Sequence, residues 1–292
     1  MEWIERFNYC MEYIEEHLTE KFDYEKLAEI MNCPIYHFQR MFFYMTNISL
    51  NEYIRRRKMS LAAVELRNDQ AKVIDIALKY GYDSPTAFNR AFQSIHGIAP
   101  SLVKKENVVL KSHPALKFSF AIHGMEELNY KIENKNAFRI VGKSCPLSRE
   151  LEENFMTIPH EWDMALENGT LSQLYSLMDG DSKGLLGVSV HNAVEWKYFI
   201  AVCSTKNDNS FESYEIPAAT WAIFSGQGTN ISLQDLERRV IMEWLPTSGY
   251  EYAEIPDIEV YIKADPQDAI YEYWLPITKK QEDENGYINN YG

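Results

Sequence analysis

Arg40 and Arg90 occupy the same place in two similar heptapeptides, YHFQRMF (36–42) and TAFNRAF (86–92). Each Arg stands midway between two Phe spaced i and i+4, and each follows a carboxamide, Gln39 or Asn89. On a helix the two Phe of one copy lie about 40° apart and the Arg about 160° from either, so one face is anchored while the opposite face offers a guanidinium beside an amide. A guanidinium pairs in bidentate fashion with guanine and a carboxamide with adenine, on base edges that only the major groove displays fully. Two copies of this chemistry imply two reading helices.

The elements that must hold them follow from caps and stops. Residues 3–18 carry apolar side chains at helical spacing. Asp23 caps a short helix ending near Met31-Asn32, and Pro34 opens one running to about Thr46. Ser49 caps a longer helix reaching about Asn68, VIDIALKYGY is a short helix stopped by Gly81, and Ser84-Pro85 starts one that Gly97 ends. APSLVKK adds a last helical turn. Each heptapeptide is preceded by a short amphipathic helix with a small residue, Ala28 or Ala77, so each copy reads helix, tight turn, second helix. The helix between them spans about 30 Å, close to the ~34 Å repeat of the major groove. Along it, Arg55, Arg56, Arg57 and Lys58 are expected to neutralise phosphates.

The charge balance divides the chain in the same way. Its 292 residues carry a formal charge of −14, yet from Pro34 to Lys105 the net is +6 and from Lys111 onward it is −13. A basic segment joined to an acidic remainder implies two parts with different partners. No apolar run approaches the ~20 residues that cross a bilayer, and the acidic amphipathic start is no secretory signal, so a cytoplasmic protein without membrane contact is expected. Cys10, Cys33, Cys145 and Cys203 are scattered, which points to free thiols.

After Glu106 the pattern changes to β-formers: LKFSFAIHG, LNYKIEN, FRIVGKS, LLGVSVHN, EWKYFIAVCS, TWAIFSG, DIEVYIK and AIYEYWLPIT. Helical stretches near 154–178 and 232–245 interrupt them, in the order strand, helix, strand, strand from Phe138 and again from Ala219. HEW (160–162) and MEW (242–244) echo one another inside those helices. The fold class is therefore multidomain, an all-α double helix-turn-helix part followed by an α+β part of duplicated strand-helix-strand-strand units. The domains are 1–106 and 112–280, with a polar disordered tail over 281–292.

The second part offers little catalytic chemistry. SGQGTN lacks the third Gly of a dinucleotide loop and the Lys of a P-loop, and HEWDM has Met164 where a zinc-binding helix needs a second His. No metal and no cofactor is expected. What remains is aromatic density with acid: on the strand IYEYWLPI, Glu272 shares a face with Trp274. A carboxylate among large rings is costly to ionise unless a cation or hydrogen-bond donors arrive, so such a cleft suits an aromatic cation. The same residues also fit an exposed sheet edge over an ordinary core.

Residues 3–105 closely resemble the AraC/XylS-type DNA-binding domain, through YHFQRMFFYMTNISLNEYIRRRKMSLAAVELR and VIDIALKYGYDSPTAFNRAFQSIHGIAPSLVKK. By position the resemblance implies base contacts from Tyr36, Gln39 and Arg40 in the first reading helix and from Thr86, Asn89 and Arg90 in the second. Relatives commonly carry Trp at the place of Tyr36 and Gln near Pro85-Thr86, so reading by the second helix is expected to differ here. Residues 112–278 look like a GyrI-like effector-binding domain, through NAFRIVGKS, YEIPAATWAIFSG, MEWLPTSGYEYAEIPDIEVYI and YEYWLPI. That resemblance places the characteristic acid on Glu272 and makes Trp162, Trp196, Tyr198, Trp221 and Trp274 cleft candidates. Rob-like regulators join two such domains in this order, which implies a transcription regulator that is no enzyme, with double-stranded DNA, a small-molecule effector and RNA polymerase as partners. Two other readings stand beside it: a ligand-hydrolysing domain acting through Glu272, and a ligand-free protein-interaction module.

Overall fold

The computed structural model describes residues 3–20, 22–68, 70–105, 107–119, 127–149, 151–180, 184–191, 195–265 and 267–280. The chain divides into two units, Met1–Gly124 and Met125–Gly292.

The first unit runs α1 (Trp3–Glu16), α2 (Tyr24–Met31), α3 (Ile35–Thr46), α4 (Leu50–Leu66), α5 (Val73–Lys79) and α6 (Pro85–His96), closed by a 3₁₀ turn, Pro100–Leu102. The expected caps do their work. Asp23, Ser49 and Ser84 each accept a backbone N–H of the first turn, and Asn32, Asn47 and Gly97 stop α2, α3 and α6 in the left-handed conformation. Phe38 and Phe42 on α3, and Phe88 and Phe92 on α6, are fully buried, each contributing about 1.5–3 kcal/mol of burial. Phe88 and Phe92 pack with Met59, Ala62, Ala63 and Leu66 of α4 and with Ala77 of α5, whose small side chain permits the close crossing.

LKFSFAIHG is not a strand over its described residues, 116–119. Residues 111–118 belong instead to the helical unit, where side chains satisfy their backbone. Asn8 donates to the Phe118 carbonyl and accepts its N–H (2.9 and 2.8 Å), Tyr53 Oη accepts from Leu116, Ser60 Oγ from His113, and His96 Nδ1 from Lys111. Phe118 completes the attachment against Phe7 at 4.9 Å. Placing a domain boundary at 112 is therefore corrected: a backbone supplied by helix side chains needs no sheet partner.

The second unit is one antiparallel sheet with helices: β1 (Tyr130–Lys135), β2 (Phe138–Pro146), α7 (Leu151–Glu167), α8 (Thr170–Leu177), β3 (Leu185–His191), β4 (Trp196–Cys203), β5 (Glu212–Ile216), β6 (Ala219–Gly228), α9 (Asn230–Arg239), β7 (Tyr250–Tyr252), β8 (Ile258–Lys263) and β9 (Ala269–Lys279). α9 continues through a π-helical turn, Val240–Trp244, into Leu245–Thr247. The strand order is β1-β6-β9-β8-β3-β4-β2-β5, with β7 also on β9. It reads the same from either end once β1 is exchanged with β5, β2 with β6, β3 with β8 and β4 with β9. The duplication is thus real, and each copy begins one strand earlier than the sequence pattern shows. The short β5 and β7 had no sequence signal. The tail 281–292 lies outside the described residues, and no described helix is long and apolar enough to cross a membrane.

The sheet is strongly curled. Phe138 on β2 and Trp274 on β9 are four strand positions apart, about 19 Å on a flat sheet, yet their rings lie 6.4 Å apart. The inside of the curl holds Leu186, Val188, Phe199, Trp221, Ile223, Ile258, Val260 and Trp274. The other face carries Leu185, Tyr198, Ile200 and Val202 beneath Ala165 of α7 and Leu171 and Leu174 of α8.

Candidate DNA-reading and ligand-binding sites

The two reading helices differ. On α6, Ser84 Oγ accepts the Ala87 N–H at 3.2 Å and Pro85 fills the first turn, where a missing N–H costs nothing. With Phe88 and Phe92 inside, Thr86 and Arg90 are exposed and Asn89 is half-exposed, as the heptapeptide requires.

On α3, Tyr36, Gln39 and Arg40 are buried instead, Arg40 at 6% exposure. Tyr36 and Tyr44 stand at i−4 and i+4 from Arg40, so their rings lie on its face. Its guanidinium is 5.7 Å from one ring centroid and 5.8 Å from the other, and it donates to Tyr44 Oη at 3.3 Å. Gln39 Oε1 is buried with no hydrogen-bond partner among the described residues. The expectation of an exposed Arg40 is corrected. The face opposite Phe38 and Phe42 is a tyrosine–arginine ladder rather than a solvated surface.

The basic run on α4 also divides. Arg55 and Arg56 point outward and both pair with Glu52, Arg56 Nε at 2.5 Å. Arg57 and Lys58 are structural. Arg57 grips Glu15 of α1 through Nε and Nη2, at 2.8 and 2.6 Å, and gives Nη1 to the His113 carbonyl, while Tyr53 Oη donates to the same Glu15. Lys58 Nζ donates to the Tyr80 carbonyl, and burial lowers its pKa. The expectation that all four face phosphate is therefore corrected for Arg57 and Lys58, which are bound inside the unit.

The six predicted cleft residues fall on the two faces of the sheet. Glu272, Trp274 and Trp221 share the inside of the curl: Trp274 Nε1 donates to Glu272 Oε2 at 2.7 Å, the Trp221 and Trp274 rings are 6.0 Å apart, and Lys135 Nζ lies 4.5 Å over Trp274. Trp221 is fully buried. Trp196 packs against the helix-face cluster that holds Tyr198 and Trp162, with the Arg149 guanidinium 5.6 Å from its ring and His191 at 6.3 Å.

Trp162 and Tyr198 meet on the helix face, around an acid that sequence reading missed. Tyr198 Oη donates to Glu259 Oε2 at 3.1 Å and Tyr261 Oη donates to the same oxygen at 2.9 Å, while Trp162 Nε1 of α7 donates to Tyr198 Oη at 3.0 Å. The Trp162 ring stands edge-on to Tyr261 at 4.9 Å. Burial, and then the Glu259 charge, push both phenols well above their ordinary pKa, so they stay protonated donors. Gly187 makes the meeting possible. It pairs with Glu259 on one side and Ile200 on the other, and a Cβ there would lie 2.2 Å from Tyr198 Oη and 2.7 Å from Glu259 Oε2. The available signal was Glu259 and Tyr261 at i, i+2 in DIEVYI, the same spacing that singled out Glu272 and Trp274.

Comparison with known proteins divides the chain at the same place. Residues 128–278 match the GyrI-like small molecule binding domain and residues 27–106 a helix-turn-helix domain. The chain is 40% identical over 92 residues to the HTH-type transcriptional activator AarP of Providencia stuartii, covering 32% of this chain and 68% of AarP. It is 37% identical over 91 residues to the regulatory protein SoxS of Salmonella typhimurium, covering 31% of this chain and 85% of SoxS. To the transcriptional regulator Rob of the same organism it is 34% identical over 95 residues, 32% of this chain and 33% of Rob.

Proposed function

Because the chain belongs to the GyrI-like small molecule binding family and its amino-terminal helices to the AraC-type DNA-binding regulators, we propose that Glu259 is the point at which this transcription regulator senses an aromatic cation. The observation that carries the reading is one carboxylate oxygen held by two phenols, the buried Tyr198 and the half-buried Tyr261, beneath the Trp162 ring. A carboxylate set among large rings suits a cation with an aromatic body, which meets the acid with its charge and the rings with its surface. The two tyrosines orient the acid and do not compete for the cation, since each stays protonated. Glu272, inside the curl, is the other half-buried acid; it accepts from Trp274 Nε1, and Lys135 Nζ already lies over that ring.

On DNA, Thr86, Asn89 and Arg90 read one major groove directly. Tyr36, Gln39 and Arg40 read a second one once the buried face that all three share is uncovered, and Arg55 and Arg56 meet phosphates. The working boundaries are a DNA-binding part ending at the 3₁₀ turn with its attached segment to Phe118, and a sensing part over 128–278. The regulator acts in the cytoplasm and presents its bound promoter to RNA polymerase, without chemical change to its ligand.

The test is a fluorescence titration with crystal violet, a triarylmethyl cation, against its neutral leuco form. Saturable quenching by the cation alone, lost in Glu259→Gln and kept in Glu272→Gln, supports the reading. Equal loss in Glu272→Gln moves the site inside the curl. Product formation in the wild type, seen by mass spectrometry, would make the domain an enzyme.

A further inference from the structure

The outward arginines of α4 share one anion. Arg55 and Arg56 are neighbours in sequence, about 100° apart on the helix, yet both reach the Glu52 carboxylate one turn earlier, so three residues carry a net charge of +1 in place of +2. Glu52 is well placed to hold them. It is the third residue after the Ser49 cap, its N–H donates to Ser49 Oγ at 3.1 Å, and its side chain is 18% exposed. The helix dipole favours a negative charge in this first turn.

The trio borders the second reading helix. The charges of Arg55 and Glu52 both act on the Tyr82 phenol. One turn further along α4, Lys58 Nζ reaches the Tyr80 carbonyl, and a Cβ on Gly81 would lie 3.6 Å from it. Residues 80–82 are the turn leading into α6, the helix whose Thr86 and Arg90 are exposed. Arg57 and Lys58 are bound inside the unit, so the cations of this run that remain able to move are the two held by Glu52.

We propose that Glu52 is an internal substitute for DNA phosphate, which holds Arg55 and Arg56 until a duplex displaces it and thereby limits binding to non-cognate sequence. The inference rests on DNA reading by this unit. Partly exposed ion pairs exchange at small cost, so phosphate oxygens take over both guanidinium groups once base contacts from α6 have set the register. The freed Glu52 then faces phosphate as a like charge. That penalty applies to every sequence, whereas base contacts at Arg90 and Asn89 compensate only at the right one. Glu52 is thus a positioning residue that raises discrimination by lowering the sequence-independent term.

The test uses the full chain and fluorescence anisotropy on two duplexes, the gene's own upstream region and a scrambled copy, across a salt series. Glu52→Gln should tighten the scrambled duplex about two- to thirtyfold, steepen the log–log salt slope by about one, and narrow the preference for the upstream duplex. Glu65→Gln makes the same charge change further along α4, at a carboxylate occupied by Lys79 and Tyr80, and should leave slope and preference unchanged. Overturning results are an unchanged slope in Glu52→Gln, or an equal effect in Glu65→Gln, which would reduce the matter to net charge. If Glu52→Gln does not fold, the double variant Arg55→Met, Arg56→Met decides: a slope shallower by about two, for two lost phosphate contacts, supports the proposal, and an unaltered slope ends it. Failure of the underlying reading looks different, as a wild type that binds neither duplex.

Discussion

Replacing Gly187 with Ala adds one methyl group at the most crowded point of the Glu259 site. The new Cβ would stand 2.2 Å from Tyr198 Oη, 3.0 Å from its Cζ and 2.7 Å from Glu259 Oε2. Gly187 lies in a central strand, paired on both sides, so its backbone cannot retreat without breaking the ladder. The phenol must move, and with it go the hydrogen bonds from Trp162 and to Glu259. Overpacking costs about 1–3 kcal/mol, and losing a bond to a charged acceptor costs about 1.5–3 kcal/mol. Replacing Gly in a strand returns about 0.5–1 kcal/mol of backbone entropy. The net expectation is a loss of about 3 kcal/mol, read as a lower urea midpoint by Trp fluorescence. Crystal violet binding should weaken at concentrations where the protein is still folded. The decisive measurement is the double variant Gly187→Ala, Tyr198→Phe. Removing the hydroxyl eliminates the closest contact, so the pair should be more stable than Gly187→Ala alone, a non-additivity expected only of residues that touch. A neutral Gly187→Ala, or a double variant with simply summed losses, would refute the view that this glycine makes room for the phenol.

Arg90→Ala should cost about 1–3 kcal/mol at one base position and relax preference there with little change in salt slope, measured by binding to single-base variants of a footprinted site. His96 is buried and neutral, accepting the Lys111 N–H at Nδ1 and facing the Met59 carbonyl through Nε2 at 3.1 Å. Burial lowers its pKa below the ordinary 6.5, so the unfolded chain binds the proton more readily. The stability that His96 contributes is complete above that value and is lost as pH falls below it. His113 is lowered too, mainly by burial, and acts in the same direction. Hydrogen exchange at Lys111 should therefore accelerate as pH drops below about 6.5 after correction for intrinsic rates, and His96→Gln should reduce that pH dependence. Burial pushes the Cys10 thiol up to about 12 and Cys145 to about 11, so a thiolate-selective reagent at mildly alkaline pH should label the half-exposed Cys33 first. Rapid labelling of Cys10 in the folded chain would contradict its packing against α2.

Much of the helical unit was legible because its signals are local. Asp23, Ser49 and Ser84 cap through hydrogen bonds spanning three residues or fewer, and the Phe pairs reach a core one helix away. What could not be read is where one side chain meets another across the chain. Arg57 looks identical to Arg56 in RRRK, but Glu15, 42 residues earlier, claims it. Arg40 was assigned to solvent because it lies opposite Phe38 and Phe42, although Tyr36 and Tyr44 at i−4 and i+4 set rings on either side of it. Glu259 was passed over because neither its face nor its neighbour Gly187 is settled until β8 is in register on β3.

The palindromic strand order shows how the two copies contribute unequally to the proposed Glu259 site. HEW and MEW hold equivalent places, in α7 and in the turn following α9, but the two tryptophans have different surroundings. Trp244 is packed by Phe224 and Tyr130, both at 5.0 Å, and stacks on Tyr250 at 6.1 Å. Those rings fill its half with apolar contact. Trp162 meets polar atoms, and its indole N–H enters a chain that runs through Tyr198 to Glu259. Glu259 itself comes from the second copy, on β8, while Tyr198 and Trp162 come from the first, and the β3–β8 pairing at the centre of the sheet brings them together. A binding site assembled across the junction of two copies can be polar on one side only if the copies have diverged. The divergence is therefore best sought in the residues around each tryptophan rather than in the path of the strands. Tyr198→Phe should then weaken cation binding while leaving Trp244 fluorescence unchanged, and a matching change at Trp244 would mean that the two halves still act as one.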